Sequence, residues 1–470
     1  MTKSIRLLTL ITASLFVLPV HSETLMEIYQ RSLGSDPSLR EADALRRATL
    51  QSKPRAIANL LPQIDSSASW DTTDQDGVST QFATVQRNPL PAPPDTGFFN
   101  VQSESDTDTL RWSLNLRQTI FRWDQFALLA QASKEVAQAE ADYRAAEQDL
   151  MIRVADAYFN VLAAEDTLAS EQAAKEAIGR QLEQAQRRFE VGLIAITDVQ
   201  EAQAGYDEAV SVEILAKRNL ATAKEQLREV TGDYPVTLAK PIDAMPLIGP
   251  DPANNDQWVD TALQRNLSLV SAQIGADIAR DNVRLARSGH YPTLEIVGSY
   301  GNSQRDGETT TSDIFTGVAT TRPVDTDQDT TRIGVQFTLP IFSGGGVRAD
   351  AQEAVYLHRA AKENLERVAR QVERETRDAY LGVDSEIARV KALGQARKSS
   401  QTALEATEAG FEVGTRTTVD VLDARRQLFI TETNYARSRY DYIVNWLRLK
   451  QAAGNLTVSD LTMVNSWLQQ

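Results

Sequence analysis

The segment Phe189-Glu190-Val191-Gly192, five residues, then Asp198-Val199 recurs 222 residues later as Phe411-Glu412-Val413-Gly414, five residues, then Asp420-Val421. Asp156-Ala157-Tyr158 with Val161 keeps the same register with Asp378-Ala379-Tyr380 and Val383. Further upstream, Ile120-Phe121 pairs with Ile341-Phe342 at 221, and Leu61-Pro62 with Tyr291-Pro292 at 230, so insertions separate the blocks. Two copies filling nearly the whole chain are too few for a solenoid and demand one pseudo-symmetric unit. The copies are read as a first repeat over 23–230, a linker over 231–255, a second repeat over 256–454 and a tail over 455–470.

Proline placement shows where long helices can form. The 16 prolines leave two empty windows, 95–234 and 341–470, and proline inside a helix removes a hydrogen bond and clashes with the preceding turn. From Arg122 to Arg188 the sole glycine is Gly179, and Ala, Glu, Gln, Leu and Arg dominate; these are good helix formers. Met151, Val154, Tyr158, Val161 and Leu162 recur at helical spacing, as do Tyr380, Val383, Ile387 and Val390 in the second copy. A helix of some 67 residues would be roughly 100 Å long. Each long helix meets Val-Gly, a helix stop, followed by a Thr/Asp start at Thr197-Asp198 or at 418–420. Each copy is therefore a helical hairpin tipped by Val-Gly, with return helices over about 197–230 and 418–453.

Before each long helix the period changes to two. Leu110, Trp112, Leu114 and Leu116 alternate with polar residues, and so do Ile333, Val335, Phe337 and Leu339. These are strands with one apolar face. Their expected partners lie at about 63–73 and 293–303, with polar loops over 74–108 and 304–329, giving four strands per chain. Shorter helices, about 24–60 and 256–288, precede each strand pair, and Pro54 should disturb the first.

The N-terminus begins with Lys3 and Arg6, continues through an apolar run from Leu7 to Val20 and ends in small residues before Glu23. This pattern is expected of a signal peptide over 1–22. Its removal would take the net charge from −15 to about −17, which repels nucleic acid. With no cysteine in the chain, disulfides and thiolate chemistry are excluded. No later apolar run reaches 18 residues, so a membrane could hold this chain only through a β-barrel or surface association.

Four amphipathic strands cannot close a membrane barrel alone, since the smallest bacterial barrels have eight. A dimer would supply eight strands, a trimer twelve and a tetramer sixteen. The narrowly striped helices likewise call for a shared ring. A soluble periplasmic coiled-coil scaffold or adaptor is the alternative. It leaves unexplained why paired strands precede each hairpin.

The stretches FEVGLIAITDVQ (189–200), AGFEVGTRTTVDVLDA (409–424) and TLPIFSGG (338–345) resemble the TolC family of bacterial outer membrane channel proteins, and the likeness runs from about Thr24 to Leu461. The resemblance implies a mainly α protein with a β-barrel portion, a homotrimer whose twelve-stranded outer membrane barrel continues into a twelve-helix periplasmic tunnel. It also implies a passive exit duct for drugs, small toxic compounds and type I secreted proteins. The implied partners are outer membrane lipid, a periplasmic adaptor and an inner membrane transporter of RND, ABC or MFS type.

Residue by residue, Asp420 and Asp423 match carboxylates that ring the periplasmic constriction in that family. At i and i+3 they share a helix face; the alternative is Asp420 as a helix cap and Asp423 on a solvated face. Arg416 matches a latch arginine, with Thr197 and Asp198 as partners. Phe411 departs from the family's tyrosine there, which would shift the latch toward Arg416. Val191, Gly192, Leu193, Val413, Gly414 and Thr415 match the tips against which the adaptor docks. Trp112, Leu114, Val335 and Phe337 are expected to face lipid.

Catalytic, cofactor and metal sites have no sequence support. Histidine occurs only at 21, 290 and 358, and Ser343-Gly344-Gly345-Gly346 lacks the Lys-Ser or Lys-Thr of a phosphate loop, so it reads as a strand-to-helix turn.

Overall fold

The computed structural model describes residues 22–85, 95–242, 245–313 and 318–468. Residues 1–21 of the expected signal peptide and the prolines at 89, 91, 93 and 94 lie outside these residues. Each half of the chain repeats one order: short helices, two strands, two long helices.

The first half holds α1 (Leu25–Ser35), α2 (Pro37–Leu50), α3 (Ser52–Ala58), β1 (Gln63–Val85), β2 (Asp95–Phe121), α4 (Trp123–Glu190) and α5 (Ile196–Thr231). The second half follows with α6 (Asn255–Arg265), α7 (Leu267–Arg287), β3 (Thr293–Asp313), β4 (Ala319–Thr338), α8 (Gly346–Glu412) and α9 (Thr418–Ala452), and α10 (Val458–Asn465) ends the described chain. At 68 and 67 residues, α4 and α8 have the length that the proline-free windows permit.

Two compact units can be distinguished. One comprises the described residues up to Arg47, Gln138–Ile274 and Lys362 onward; the other comprises Ala48–Ala137 and Gly275–Ala361.

The second unit contains the antiparallel sheet, in the order β1-β2-β3-β4. Residues 74–85, 95–108, 304–313 and 319–329, expected as loops, are paired strand instead. Apolar alternation reports burial of one face. Where both faces are wet the alternation fades, yet the backbone ladder continues between neighbouring strands. Glycines in β3 let β2 approach closely: a Cβ at Gly301 would lie 2.4 Å from the Trp112 carbonyl oxygen, and one at Gly307 2.2 Å from that of Asp106. Between β4 and α8 the chain turns through Gly344 (φ +64) and Gly345 (φ +87), the left-handed values that glycine tolerates.

The first unit carries the main core, built around Tyr158, Phe159, Tyr442, Ile443, Leu447 and Leu461. Tyr158 Oη donates to the Ala239 carbonyl at 2.7 Å, while Tyr442 Oη accepts from Ile248 N–H at 2.7 Å. One tyrosine from each hairpin thus pins the proline-rich linker. The tail expected over 455–470 is also part of this core, since Leu461, Val464, Trp467 and Leu468 are buried.

Both short-helix stretches break at equivalent points, 230 residues apart. Asp36 ends α1 in extended conformation ahead of Pro37, and Asn266 ends α6 in the same conformation. Each side chain then caps the next helix: Asp36 Oδ1 accepts from Leu39 N–H at 2.7 Å and Asn266 Oδ1 from Leu269 N–H at 3.2 Å. The residue before proline disfavours helix, which explains the break at Asp36; the disturbance expected of Pro54 is the interruption between α2, which ends at Leu50, and α3, in whose first turn Pro54 lies. Buried Asp36 takes two guanidinium bonds from Arg153, at 2.8 and 3.0 Å. Burial works to raise its carboxyl, but the bonds from Arg153 and the Leu39 N–H outweigh it and hold the group below the usual range.

Candidate functional site

The two hairpin tips close with the same backbone pattern. Gly192 (φ +73) donates to Phe189 O at 2.9 Å and Leu193 N–H reaches back to Arg188 O at 2.9 Å; Gly414 (φ +78) donates to Phe411 O at 3.1 Å and Thr415 N–H to Gly410 O at 2.8 Å. Nothing lies within 4 Å of a Cβ built on either turn glycine. Within one chain they are needed for left-handed backbone, not for close approach. The first tip rests on a small cluster of Leu182, Ala185, Val199 and Ala202.

Beyond the turns the apolar side chains point to solvent: Val191 is 70%, Leu193 72% and Val413 75% exposed. Thr415 is exposed too, but its hydroxyl donates to Gly410 O at 3.0 Å. These apolar side chains are left uncovered at the turns of the two hairpins.

Asp420 is the third residue of a complete capping box. Its Oδ2 accepts from Thr417 N–H at 2.8 Å and Thr417 Oγ1 at 2.9 Å, while Asp420 N–H donates to Thr417 Oγ1 at 3.2 Å. These bonds, with the nearby Arg416 charge, hold its carboxyl below the usual range. In the first copy Asp198 makes half of this arrangement, accepting from Ala195 N–H at 3.2 Å, since alanine offers no side-chain acceptor. Asp423, one turn further along α9, is 67% exposed, with Arg426 3.9 Å away. The cap therefore accounts for how Asp420 is oriented and leaves Asp423 facing solvent.

Arg416 bends back over the end of α8. A Cβ at Gly410 would meet its Cγ at 2.8 Å, so glycine at 410 makes room for it. Among the described residues of one protomer, its side chain forms no hydrogen bond or ion pair with exposed Thr197 or with Asp198. The position equivalent to Gly410 in the first copy is Arg188. Its guanidinium lies over the Phe411 ring, 4.7 Å from the centroid. This is a tie between the hairpins that the sequence reading did not find, and it takes up the aromatic ring whose missing hydroxyl had pointed to Arg416 alone. A basic residue one before Phe189 was the available signal.

In the sheet, Leu114 stands opposite Ser66 and Tyr300, Leu116 opposite Ile64 and Gly298, Ile296 opposite Val335, and Leu294 opposite Phe337. Directly opposed residues share a face, and Ile64, Leu114, Leu116, Val335 and Phe337 are all exposed on it, with Trp112 and Leu110. From β1 to β4 this apolar band steps toward the strand ends that lead into α4 and α8. Aromatic pairs accompany it: Trp112 with Tyr300 at 5.5 Å within the band, and Trp123 with Tyr291 at 6.1 Å beyond the strand ends that adjoin the helices. Among the described residues, no helix is long and apolar enough to cross a membrane, and no group of three or more potential ligands could hold a metal ion.

Residues 28–233 and 258–455 match the family described as outer membrane efflux protein. The chain is 36% identical over 452 residues to outer membrane protein TolC of Vibrio cholerae, covering 96% of this chain and 95% of that one. It is 37% identical to outer membrane protein TolC of Escherichia coli, covering 96% and 86%. The fold is similar to that of the Campylobacter jejuni CmeC outer membrane channel, with a TM-score of 0.71, 19% identity and 95% and 90% of the two chains covered. Duplicated strand-and-hairpin units, an exposed apolar sheet face and these likenesses converge: the chain belongs to the outer membrane efflux protein family and is an export channel of the Gram-negative outer membrane.

Proposed function

We propose that the chain works as a homotrimer in which three four-stranded sheets close a twelve-stranded barrel and six hairpins form the periplasmic tunnel. The observation that carries this is the sheet itself. It is open, with β1 and β4 each paired on one side only, and one of its faces carries the exposed apolar band. Unpaired strand edges cannot stand in lipid, and in water strands of 23 and 20 residues would invite aggregation. Pairing β4 of one copy with β1 of the next satisfies both edges and closes a ring. Two copies would give eight strands, whose interior side chains fill; an aqueous lumen takes at least three. The soluble scaffold reading is not favoured, since it leaves the band and both edges uncovered.

In this reading Trp112, Leu114, Val335 and Phe337 face lipid, and Asp420 and Asp423 form two carboxylate rings at the periplasmic constriction. Such rings attract cations and repel anions. Arg416, with Thr197 and Asp198 of a neighbouring copy, and the Arg188–Phe411 contact keep the tips together. The exposed surface of Val191, Gly192, Leu193, Val413, Gly414 and Thr415 receives a periplasmic adaptor. The family is one of channels and not of enzymes, so the driving force comes from an inner membrane transporter. Drugs, small toxic compounds and secreted proteins are the cargo in this reading. The test is the mass of the detergent-extracted outer membrane protein by light scattering. Three chains per particle support the reading; a periplasmic monomer refutes it.

A further inference from the structure

Behind the tips, two adjacent arginines of α9 reach every other helix of the two hairpins. Arg425 is largely covered, 20% exposed; its Nη2 bonds Glu408 of α8, and its Nη1 donates to the Ala177 carbonyl of α4 at 3.3 Å. Arg426, 49% exposed, donates through Nη2 to Glu208 of α5 at 2.7 Å and lies 3.9 Å from Asp423. Successive residues on a helix point about 100° apart, which lets the pair hold partners on two sides. The first copy has Gln203 and Ala204 at the equivalent positions, so the arrangement belongs to the second hairpin alone. Beside it, α5 and α9 approach each other at Gly205, where a Cβ would lie 3.7 Å from Leu422 Cδ1.

We infer that Arg425 and Arg426 form a clasp, separate from the tip contacts, that holds the return helix of the second hairpin to the first hairpin, and that Arg426 at the same time offsets part of the Asp423 charge. Glu208 and Asp423 lie on different hairpins, and the single guanidinium between them is attracted to both. If the hairpins separate, the Arg426–Glu208 contact is lost while Arg426 and Asp423, on one helix, stay neighbours. The clasp therefore acts on opening, whereas the charge offset persists in the open channel. This second part rests on the reading of Asp423 as a tunnel-facing residue; the clasp does not.

The test is a double-mutant cycle on the full-length protein in planar bilayers, with Arg426→Gln, Glu208→Gln and both changes together. The clasp predicts that either single change raises the mean current per inserted channel by up to about five-fold, the range that exposed ion pairs support. The double variant should rise no further than the larger single change, because both remove the same contact. Raising the salt concentration should bring the wild type toward the variants once currents are scaled to bulk conductivity, since mobile ions screen such pairs. Variants that insert normally with wild-type current, or two effects that multiply, overturn the clasp. Should Arg426→Gln not insert, Glu208→Gln alone decides, because it leaves both arginines in place. The charge offset is read separately, as tighter block by a trivalent cation in Arg426→Gln. Unchanged block together with a positive cycle removes only the Asp423 part.

Discussion

Arg188, the last-turn residue of the first long helix, lies over the ring of Phe411 in the second hairpin, 4.7 Å from its centroid. The residue equivalent to Arg188 in the second copy is Gly410, which makes room for Arg416 to fold back. An arginine therefore serves each tip, but from opposite ends of the turn. The first grips the other hairpin; the second sits beside Asp420.

The Arg188 contact should be measurable as leak. A half-exposed cation–π pair contributes about 0.5–1 kcal/mol, so Arg188→Gln and Phe411→Leu should each raise bilayer current about two- to five-fold, and the double variant no more than either. Phe411→Tyr keeps the ring and should stay near wild type. Leak unaltered in all three would remove this contact from the gate.

Arg416→Ser should also increase current, through the latch to a neighbouring copy. Its effect should multiply with that of Arg188→Gln, because the two arginines hold different partners. Equal current in the single and double variants would show that they act as one unit.

Docking is tested by charge placed where the glycines leave open space. Gly192→Glu with Gly414→Glu adds an acid to each exposed apolar tip and strains backbone at positive φ by roughly 1 kcal/mol per site. Assembled channels should remain in the outer membrane, with export abolished. Gly192→Ala with Gly414→Ala, which carries the strain without the charge, should keep most export. Loss in both would place the defect in the turn and not in docking.

In the first hairpin Glu213 is buried, with Lys217 at 2.8 Å and Lys175 at 2.9 Å. Hydrogen bonds from these two lysines lower its carboxyl from 4.5 to about 2. A depressed folded value means its contribution to stability is fully present above pH 4.5 and is lost as pH falls toward 2. Wild type should melt above Glu213→Gln at neutral pH, and the two curves should converge across that acid window. Curves that stay parallel down to pH 2 would contradict the ion-pair account.

Lipid contact predicts that Val335→Arg, in the middle of the apolar band, impairs insertion by about 2–4 kcal/mol if it lies at the bilayer midplane. Arg332→Gln, three residues away on the opposite face, should be silent. Outer membrane yield of folded protein distinguishes the two.

The hairpins and the strand count were legible because each rests on a periodic signal: proline-free helical windows, Val-Gly stops, and alternation at 110–116 and 333–339. The strand extensions were not, because Ser, Thr and Asp on both faces carry no alternation even while the ladder continues through Asp74 opposite Asp106. Candidate residues within the motifs could be named, but their contacts could not. Arg188 over Phe411 and Arg426 against Glu208 join residues more than 200 positions apart, and pairing at that distance leaves no local pattern. Asp36 and Asn266 hide a repeat for a further reason: the capping role is shared, but Asp36 is balanced by Arg153, whose equivalent in the second copy is Glu375, while neutral Asn266 donates to the Ala452 carbonyl at 3.0 Å.

The most direct measurement is block of single-channel current by a trivalent cation added on the side of the hairpin tips, compared between wild type and Asp420→Ala with Asp423→Ala. A channel constricted by these carboxylates predicts strong block in wild type and its loss in the double variant; equal block in both would contradict it.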